Sequence, residues 1–422
     1  MEKTKKHIAV ITMLVVAVVF TLTNSFAPAH ADTAKRDVLK LKTQSVVVYC
    51  RDTNQVIYEK NPDKKIDPFS TTKVMTSLLA CENLDKNKMV TASTEAASIG
   101  DSSMGLLPGE RVTVEQLIYG ALLPSGNDAA YVLGEEMGGT IPKFSKMMND
   151  RAKKIGCKNT HFVNPNGLME KGHYSTAMDM MLIFNEALNN NEFVKIAGTK
   201  SYNLPATNKK EPVVLHNTCK VMKENKKVFA AKTGSWDFEN SLVFAFKDKG
   251  LTFVVSMMKS NIDVRDIEAQ RIIDYVSKDI DKVTIEKKGI EVGKCRLKDG
   301  NVGKVRGELA CDAVVFLPDK ANRDLIKTKA VFDKEIKAPI KQNQKIGSFK
   351  MYLDDKEVAS VPIIAQKAVK RGLLGLSNKT WILIAVLIVI AVLAIIKKRK
   401  IDRRKKIILQ KALQQLKKEG KL

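Results

Sequence analysis

A serine and a lysine stand three residues apart, at Ser70 and Lys73, inside "DPFSTTKVMTSLL". Apolar residues recur at helical spacing after them and predict a helix from Thr71 to about Leu84. Residues i and i+3 share a helix face, so the Lys73 amine can reach the Ser70 hydroxyl. A serine becomes a strong nucleophile only when a base takes its proton. A lysine can be that base if burial or a neighbouring cation lowers its pKa. The helix N-terminus adds partial positive charge where negative charge would develop. Taken alone, the pair is a weak signal, since Ser-x-x-Lys occurs by chance and is more often a helix cap followed by a surface lysine.

Two further triplets carry polar groups suited to the same chemistry. Ser125-Gly126-Asn127 interrupts a helical stretch in "LLPSGNDAA". Lys232-Thr233-Gly234 lies in "FAAKTGSW", on a predicted strand. A cation beside a hydroxyl suits a carboxylate, and a glycine lets a strand approach a ligand closely. His161 and His173 read as structural residues, and His216 as a candidate border of a cleft. The six cysteines show no C-x-x-C spacing, so a zinc or thioredoxin-type site is weak. Cys295 and Cys311 are the best candidates for a disulfide; the others read as free buried thiols.

The elements that must position these residues follow from periodicity. "SVVVYCRDTNQVIYEKN" predicts two strands around a turn at 52–54. Helical patterns run from Val112 to Glu136, 143–155 and 177–190. "VFAAKTG", "SLVFAFKDK" and "LTFVVSMMK" predict a three-stranded meander, closed by a helix at about 265–279. Strands at both ends with helices between them predict one mixed α/β domain, residues 32–282. After about Val283, short alternating runs cut by Gly, Pro and Asp-Gly predict a small all-β domain, 283–365, and then a linker, 366–379.

The chain of 422 residues carries 71 Lys and Arg against 46 Asp and Glu, a net charge of +25. Such a balance suits work near an anionic surface. Both ends argue for a membrane rather than a nucleic acid. Residues 1–31 have lysines, an apolar run and Ala29-His30-Ala31, the pattern of a secretory signal cleaved after Ala31. Trp381–Ile396 is an unbroken apolar run of 16 residues, about 24 Å as a helix. It predicts a transmembrane helix over 380–396. The basic tail, 397–422, falls on the cytoplasmic side by the positive-inside rule. Its amphipathic part suits either a helix on the inner leaflet or a solvated tail. The expected location is therefore the cell membrane, single-pass, with the main body outside.

Ser-x-x-Lys, Ser-x-Asn and Lys-Thr-Gly in this order form the set shared by penicillin-binding proteins and class A β-lactamases. With "TEAASIGDSSMGLLPGERVTVEQL", "THFVNPNGL" and "HYSTAMDM", the chain resembles the serine D-Ala-D-Ala carboxypeptidases, the low-molecular-mass penicillin-binding proteins. "KAPIKQNQKIGSFKMYLDDKEVASVPIIA" resembles that family's C-terminal β domain. The resemblance covers about residues 36–365. It implies a β-lactamase/transpeptidase-like sheet with helices, and removal of the last D-alanine from peptidoglycan stem peptides. Ser70 would be the nucleophile, Lys73 its base and Ser125 a proton relay. Asn127, Lys232, Thr233 and Gly234 would bind substrate, and the backbone N–H groups of Ser70 and Ser235 would form the oxyanion hole. β-Lactams would act as covalent inhibitors, and no metal or cofactor is implied. One departure follows Lys-Thr-Gly, where "SWDFENSLVF" replaces the usual aromatic, Thr and Ala-Gly. Asp237 there either shapes the substrate edge or serves a hairpin turn. A class A β-lactamase would need Glu-x-x-Leu-Asn; "NEALN" at 185–189 is one residue short. Endopeptidase or transpeptidase action, and a β-lactam or peptidoglycan sensor, are the alternatives.

Overall fold

The computed structural model describes residues 29–30, 39–318, 325–353, 355–372 and 378–418. Apart from Ala29 and His30, the expected signal sequence lies outside the described residues.

The first compact unit holds residues up to Ile285 together with Ala313–Thr328 and Lys350–Ser360. Its centre is an antiparallel sheet. Strands β1 (Ser45–Cys50) and β2 (Gln55–Lys60) form the first hairpin, and β3 (Val228–Trp236), β4 (Glu239–Asp248) and β5 (Leu251–Asn261) form the meander. The order is β2-β1-β5-β4-β3, with Ala29–His30 paired in parallel outside β2. Strand β3, which carries Lys232, therefore lies at a sheet edge, with one row of backbone groups unpaired by another strand among the described residues.

Successive residues on a strand point to opposite faces. Val47, Val243, Ala245 and Val254 join one core; Val46, Val48, Phe244, Phe246 and Val255 join the other. Both faces are covered, which is why these strands read as apolar runs rather than clean alternations. The first core receives helices α1 (Lys73–Asn83), α2 (Val114–Leu122), α3 (Asn127–Gly138), α4 (Ile141–Ile155) and α5 (Ala177–Ala187). The second receives α6 (Ile262–Asp274), whose Ala269, Ile272 and Ile273 are fully buried or nearly so.

Two helix starts differ from the sequence expectation. The helix expected from Thr71 begins at Lys73, because Phe69–Thr72 winds as a 3-10 turn. The Pro68 carbonyl there accepts from Thr71 N at 3.2 Å and Thr71 Oγ1 at 2.5 Å. Such i→i+3 bonds tighten a first turn. The helix expected from Val112 begins at Val114. Arg111–Thr113 pairs instead with Met89–Thr91, and Thr113 caps α2 with Gln116 in a reciprocal capping box.

The second compact unit comprises Glu286–Asp312, Lys329–Phe349 and Val361–Leu422. The β-rich segment forms a five-stranded sheet in the order Glu291–Arg296, Lys304–Leu309, Lys356–Ala365, Lys345–Leu353, Lys327–Phe332. The expected Cys295–Cys311 disulfide is not formed: Cys295 is a buried free thiol. Cys295 pairs in register with Val305, and Glu291 with Glu308, so the chain reaches Cys311 at the far end of this hairpin. The strand from Val305 to its end at Leu309 alone spans roughly 13 Å, whereas bridged Cα atoms lie within about 7 Å.

The apolar run and the basic tail form one helix, Asn378–Lys418, rather than a span followed by a separate segment. It holds no Gly or Pro and is rich in Ile, Leu, Ala, Lys and Arg. Thr380–Gln414 is long and apolar enough to cross a membrane.

Candidate active site

Ser70 sits in the 3-10 turn just before α1, after Phe69, whose φ is +49°. A left-handed aromatic residue is a strained conformation that surrounding packing must hold. Two glycines make room for this turn. A Cβ on Gly234 would lie 3.0 Å from Pro68 O and 3.1 Å from Thr71 N. One on Gly167, whose φ is +84°, would lie 1.8 Å from Phe69 O. Edge strand β3 and the 164–167 turn thus clamp the serine from two sides.

Lys73 is fully buried. Its Nζ lies 2.7 Å from Ser70 Oγ, 2.7 Å from Asn127 Oδ1 and 2.8 Å from the Asn166 carbonyl oxygen. Two of these three neighbours can only accept. A neutral amine has two N–H donors and one lone pair, so the lone pair is left for the Ser70 hydroxyl proton. Burial, and then the charge of Lys232, hold the Lys73 pKa well below its ordinary value. Asp128 and Asp101 oppose that shift.

Ser125 comes from the turn between α2 and α3, and Asn127 opens α3. Ser125 is left-handed, with φ +67°, and almost fully buried. Asn127 donates from Nδ2 to Gly100 O at 2.9 Å, which orients its oxygen towards Lys73. The next residue, Asp128, is fully buried and anchors the neighbouring loop. It accepts from Ser103 Oγ at 2.5 Å and from the backbone N–H groups of Met104, Gly105 and Leu106.

On β3, Lys232 is 1% exposed and donates to Ser125 Oγ at 2.9 Å and Thr233 O at 2.8 Å. Burial lowers its pKa to about 7; Cys219 opposes that shift, and the Arg265 charge adds a smaller lowering effect. Thr233 Oγ1 lies 2.5 Å from Thr218 Oγ1. Ser235 is exposed, and its hydroxyl donates to Asn240 Oδ1 at 2.7 Å. Arg265, on α6, donates to that same oxygen at 3.2 Å and pairs with Asp266. Trp236 ends β3, exposed; Asp237, with φ +52°, opens the two-residue turn into β4. Aspartate tolerates this backbone region better than most residues.

Ser70, Lys73, Ser125, Asn127, Lys232, Thr233, Gly234 and Ser235 thus meet around one edge of the sheet. Sequence reasoning missed three participants. The Asn166 carbonyl is a backbone group, and only the turn-forming "NPNG" marks it. Arg265 stands in an ordinary helical pattern, with no motif around it. Asp128 acts through a loop more than twenty residues away in sequence. The histidines take other parts. His173 is buried, accepts from Val163 N–H at Nδ1 and donates from Nε2 to Thr72 Oγ1 at 2.9 Å. Burial, and His161 second, lower its pKa to about 4, so it is a neutral brace behind the Ser70 turn. His161 is exposed and bonded to Gly172 O. His216 is exposed on the Val213–His216 strand of a two-stranded ribbon.

Comparison with known proteins agrees with the motifs. Residues 281–371 match the C-terminal domain of penicillin-binding protein 5. The D-alanyl-D-alanine carboxypeptidase DacF of Bacillus subtilis is 32% identical over 360 residues, 82% of this chain and 92% of that protein. The carboxypeptidase DacA of Escherichia coli K12 is 26% identical over 376 residues, 83% of this chain and 92% of that protein. Penicillin binding protein 5 from Haemophilus influenzae superposes with a TM-score of 0.62 at 25% identity, over 79% of this chain and 98% of that one. The Streptomyces K15 DD-transpeptidase superposes at 0.53 with 29% identity, over 56% of this chain and 97% of its own. Since residues 30–261, more than half of the sequence, match the D-alanyl-D-alanine carboxypeptidase family throughout the region that builds this site, the chain belongs to that family of serine hydrolases.

Proposed function

We propose that this enzyme removes the terminal D-alanine from peptidoglycan stem peptides through an acyl-enzyme on Ser70. The observation that carries the reading is the set of contacts made by Lys73 Nζ. Its two fixed acceptors leave its lone pair for Ser70. Lys73 takes the Ser70 proton while Oγ attacks the carbonyl carbon of the D-Ala-D-Ala bond. The Ser70 and Ser235 N–H groups receive the developing oxyanion. The C–N bond then breaks, and the proton reaches the departing amine through Ser125, which Lys232 holds. Water attacks the ester, returns the proton to Ser70 and releases the shortened peptide. Lys232 and Thr233, with Arg265 beyond them, offer positive charge and a hydroxyl to the terminal carboxylate. The free edge of β3 offers backbone groups to an extended peptide.

β-Lactams mimic the same acyl donor and are expected to acylate Ser70 and leave slowly. Glu186 in "NEALN" is engaged with Arg151 at 2.7 Å and Asn189 at 3.0 Å. It is not poised to activate a deacylating water. A second reading is favoured by the likeness to the Streptomyces K15 DD-transpeptidase: an amine of another stem peptide would replace water on the same acyl-enzyme.

We place the catalytic domain at 32–282 and the β domain from 283; residues 369–372, expected in the linker 366–379, bond back onto the β domain, and the membrane helix expected at 380–396 runs without a break into the tail expected at 397–422. A signal sequence over 1–31 and the excess of basic residues after 396 support a catalytic domain outside the cell and a cytoplasmic tail. The test of the reaction is release of free D-alanine from a soluble peptide ending in D-Ala-D-Ala. The wild type, Ser70→Ala and the penicillin-treated wild type are compared. Release that needs Ser70 and stops with penicillin supports the hydrolytic reading. Consumption of donor only when an acceptor amine is present points to transpeptidation. Penicillin labelling with neither reaction would overturn both in favour of a sensor.

A further inference from the structure

The second unit carries two clefts that peptide hydrolysis does not use. The larger, about 1030 Å³, is lined by Arg296, Lys298, Lys304 and Lys334. The smaller, about 430 Å³, shares Asn301 and Lys304 with it and adds Arg306 and Lys367. Glu335 is the acid in the larger lining, and it is divided between Lys298 at 2.9 Å and Lys337 at 3.9 Å. Arg296, Lys304, Lys334 and Lys367 have no carboxylate partner among the described residues and are exposed. The clefts therefore present concentrated positive charge with little compensation. Asn301 lines both, and its Oδ1 is buried without a hydrogen-bond partner. A buried acceptor left without a donor is costly unless a ligand supplies one.

The position of the clefts along the chain selects the ligand. Asn378 opens the long apolar helix, lines the larger cleft and donates its N–H to Asn301 O at 2.9 Å. Asn301 N in turn donates to Lys370 O at 3.0 Å, and Gly372 N to Asp299 O at 2.8 Å. The cleft is thus tied by its backbone to the start of the helix, and the span that can cross a membrane begins at Thr380. When that span is inserted, the cleft lies at the level of the lipid head groups.

We propose that the two clefts form one binding site for the glycerophosphate head group of anionic lipids in the leaflet where the helix enters. The phosphate meets Arg296, Lys304 and Lys334, and a glycerol hydroxyl supplies the donor that Asn301 Oδ1 lacks. A choline head group carries a cation beside its phosphate and gains less from the same basic cluster. Each basic side chain near an anionic bilayer strengthens binding about five-fold.

The test uses the full chain in lipid nanodiscs, of phosphatidylcholine alone or with phosphatidylglycerol added. Lysine acylation rates are read residue by residue by mass spectrometry. In the anionic discs Lys298, Lys304, Lys334 and Lys367 should react at least about five-fold more slowly. Lys288, exposed in the same unit but outside both clefts, should be unchanged. The Arg296→Gln/Lys304→Gln variant should restore labelling of Lys298 and Lys334 and reduce co-purified phosphatidylglycerol. D-Alanine release by the same preparation reports that it is folded. Equal labelling in both discs would overturn the proposal, as would equal slowing at Lys288, which would mean diffuse surface attraction. Protection by soluble glycerol phosphate in the phosphatidylcholine discs, without protection by phosphatidylglycerol, would replace the lipid by a soluble phosphate source and also overturn it.

Discussion

Lysine is used in two opposite ways in the two units of this chain. In the first, Lys73 and Lys232 are buried and touch hydroxyls and amide oxygens, with no carboxylate at ion-pair distance among the described residues. In the second, Lys298 is 61% exposed and pairs with an equally exposed Glu335. An exposed pair contributes about 0–1 kcal/mol because water screens it. A buried, unpaired ammonium costs several kcal/mol and lowers its own pKa instead. The comparison teaches that the reactive lysines are the ones the fold is least comfortable holding. Their surroundings convert an ordinary cation into a base and into an anion receptor.

Removing the buried base is the largest expected effect. Lys73→Met should lower kcat for D-alanine release by roughly 10³-fold or more while leaving the melting temperature equal or higher. Activity within ten-fold of wild type would sink the assignment of Lys73 as base. Lys232→Met should also cost activity, yet stabilise the fold near pH 6, where the wild type must bury an unpaired ammonium. The sign follows from its lowered pKa of about 7. Between that value and the ordinary lysine value, the unfolded chain binds more protons, so wild-type stability rises with pH. The advantage of the variant should therefore shrink from pH 7 towards pH 10, as urea titrations can measure. In the free enzyme kcat/KM should fall above about pH 7 as Lys232 loses its charge. A bound carboxylate favours the charged form, so the alkaline limb of kcat should lie higher.

His173 sharpens the comparison as a neutral buried base that never meets substrate. Its folded pKa is about 4 against 6.5 in the unfolded chain. The unfolded state binds the extra proton between these values, so stability should rise by about 3 kcal/mol from pH 4 to 6.5. His173→Asn should flatten that part of the urea-derived profile. At the small end, Lys298→Met should change stability by less than about 1 kcal/mol. A loss above 2 kcal/mol in thermal unfolding would show that the exposed pair is not screened as described.

The two units also differ in how much of them was legible. The meander of β3, β4 and β5 was readable because its apolar runs are bounded by two-residue and Lys-Gly turns. The start of α1 was not, because the 3-10 turn depends on Phe69 being held left-handed by Gly167 and Gly234. In the β-rich region Glu291–Arg296, Ala313–Pro318, Lys345–Leu353 and Lys356–Ala365 were legible, whereas the charge-interrupted strands Lys304–Leu309 and Lys327–Phe332 were not, and the Cys295–Cys311 pairing failed. Proximity in sequence says nothing about which end of a hairpin a residue occupies.

By itself the sequence determined which reactive groups exist, their order, the apolar runs that build a sheet covered on both faces, and an apolar run long enough for a membrane. These are local properties, readable over a few residues at a time. Only the tertiary structure decided that Asn166 O and Asn127 Oδ1 occupy two sides of Lys73, that Lys232 holds Ser125, and that Arg265 stands behind them. It also decided the pKa directions, since desolvation and Coulomb effects come from atoms tens to more than a hundred residues away along the chain.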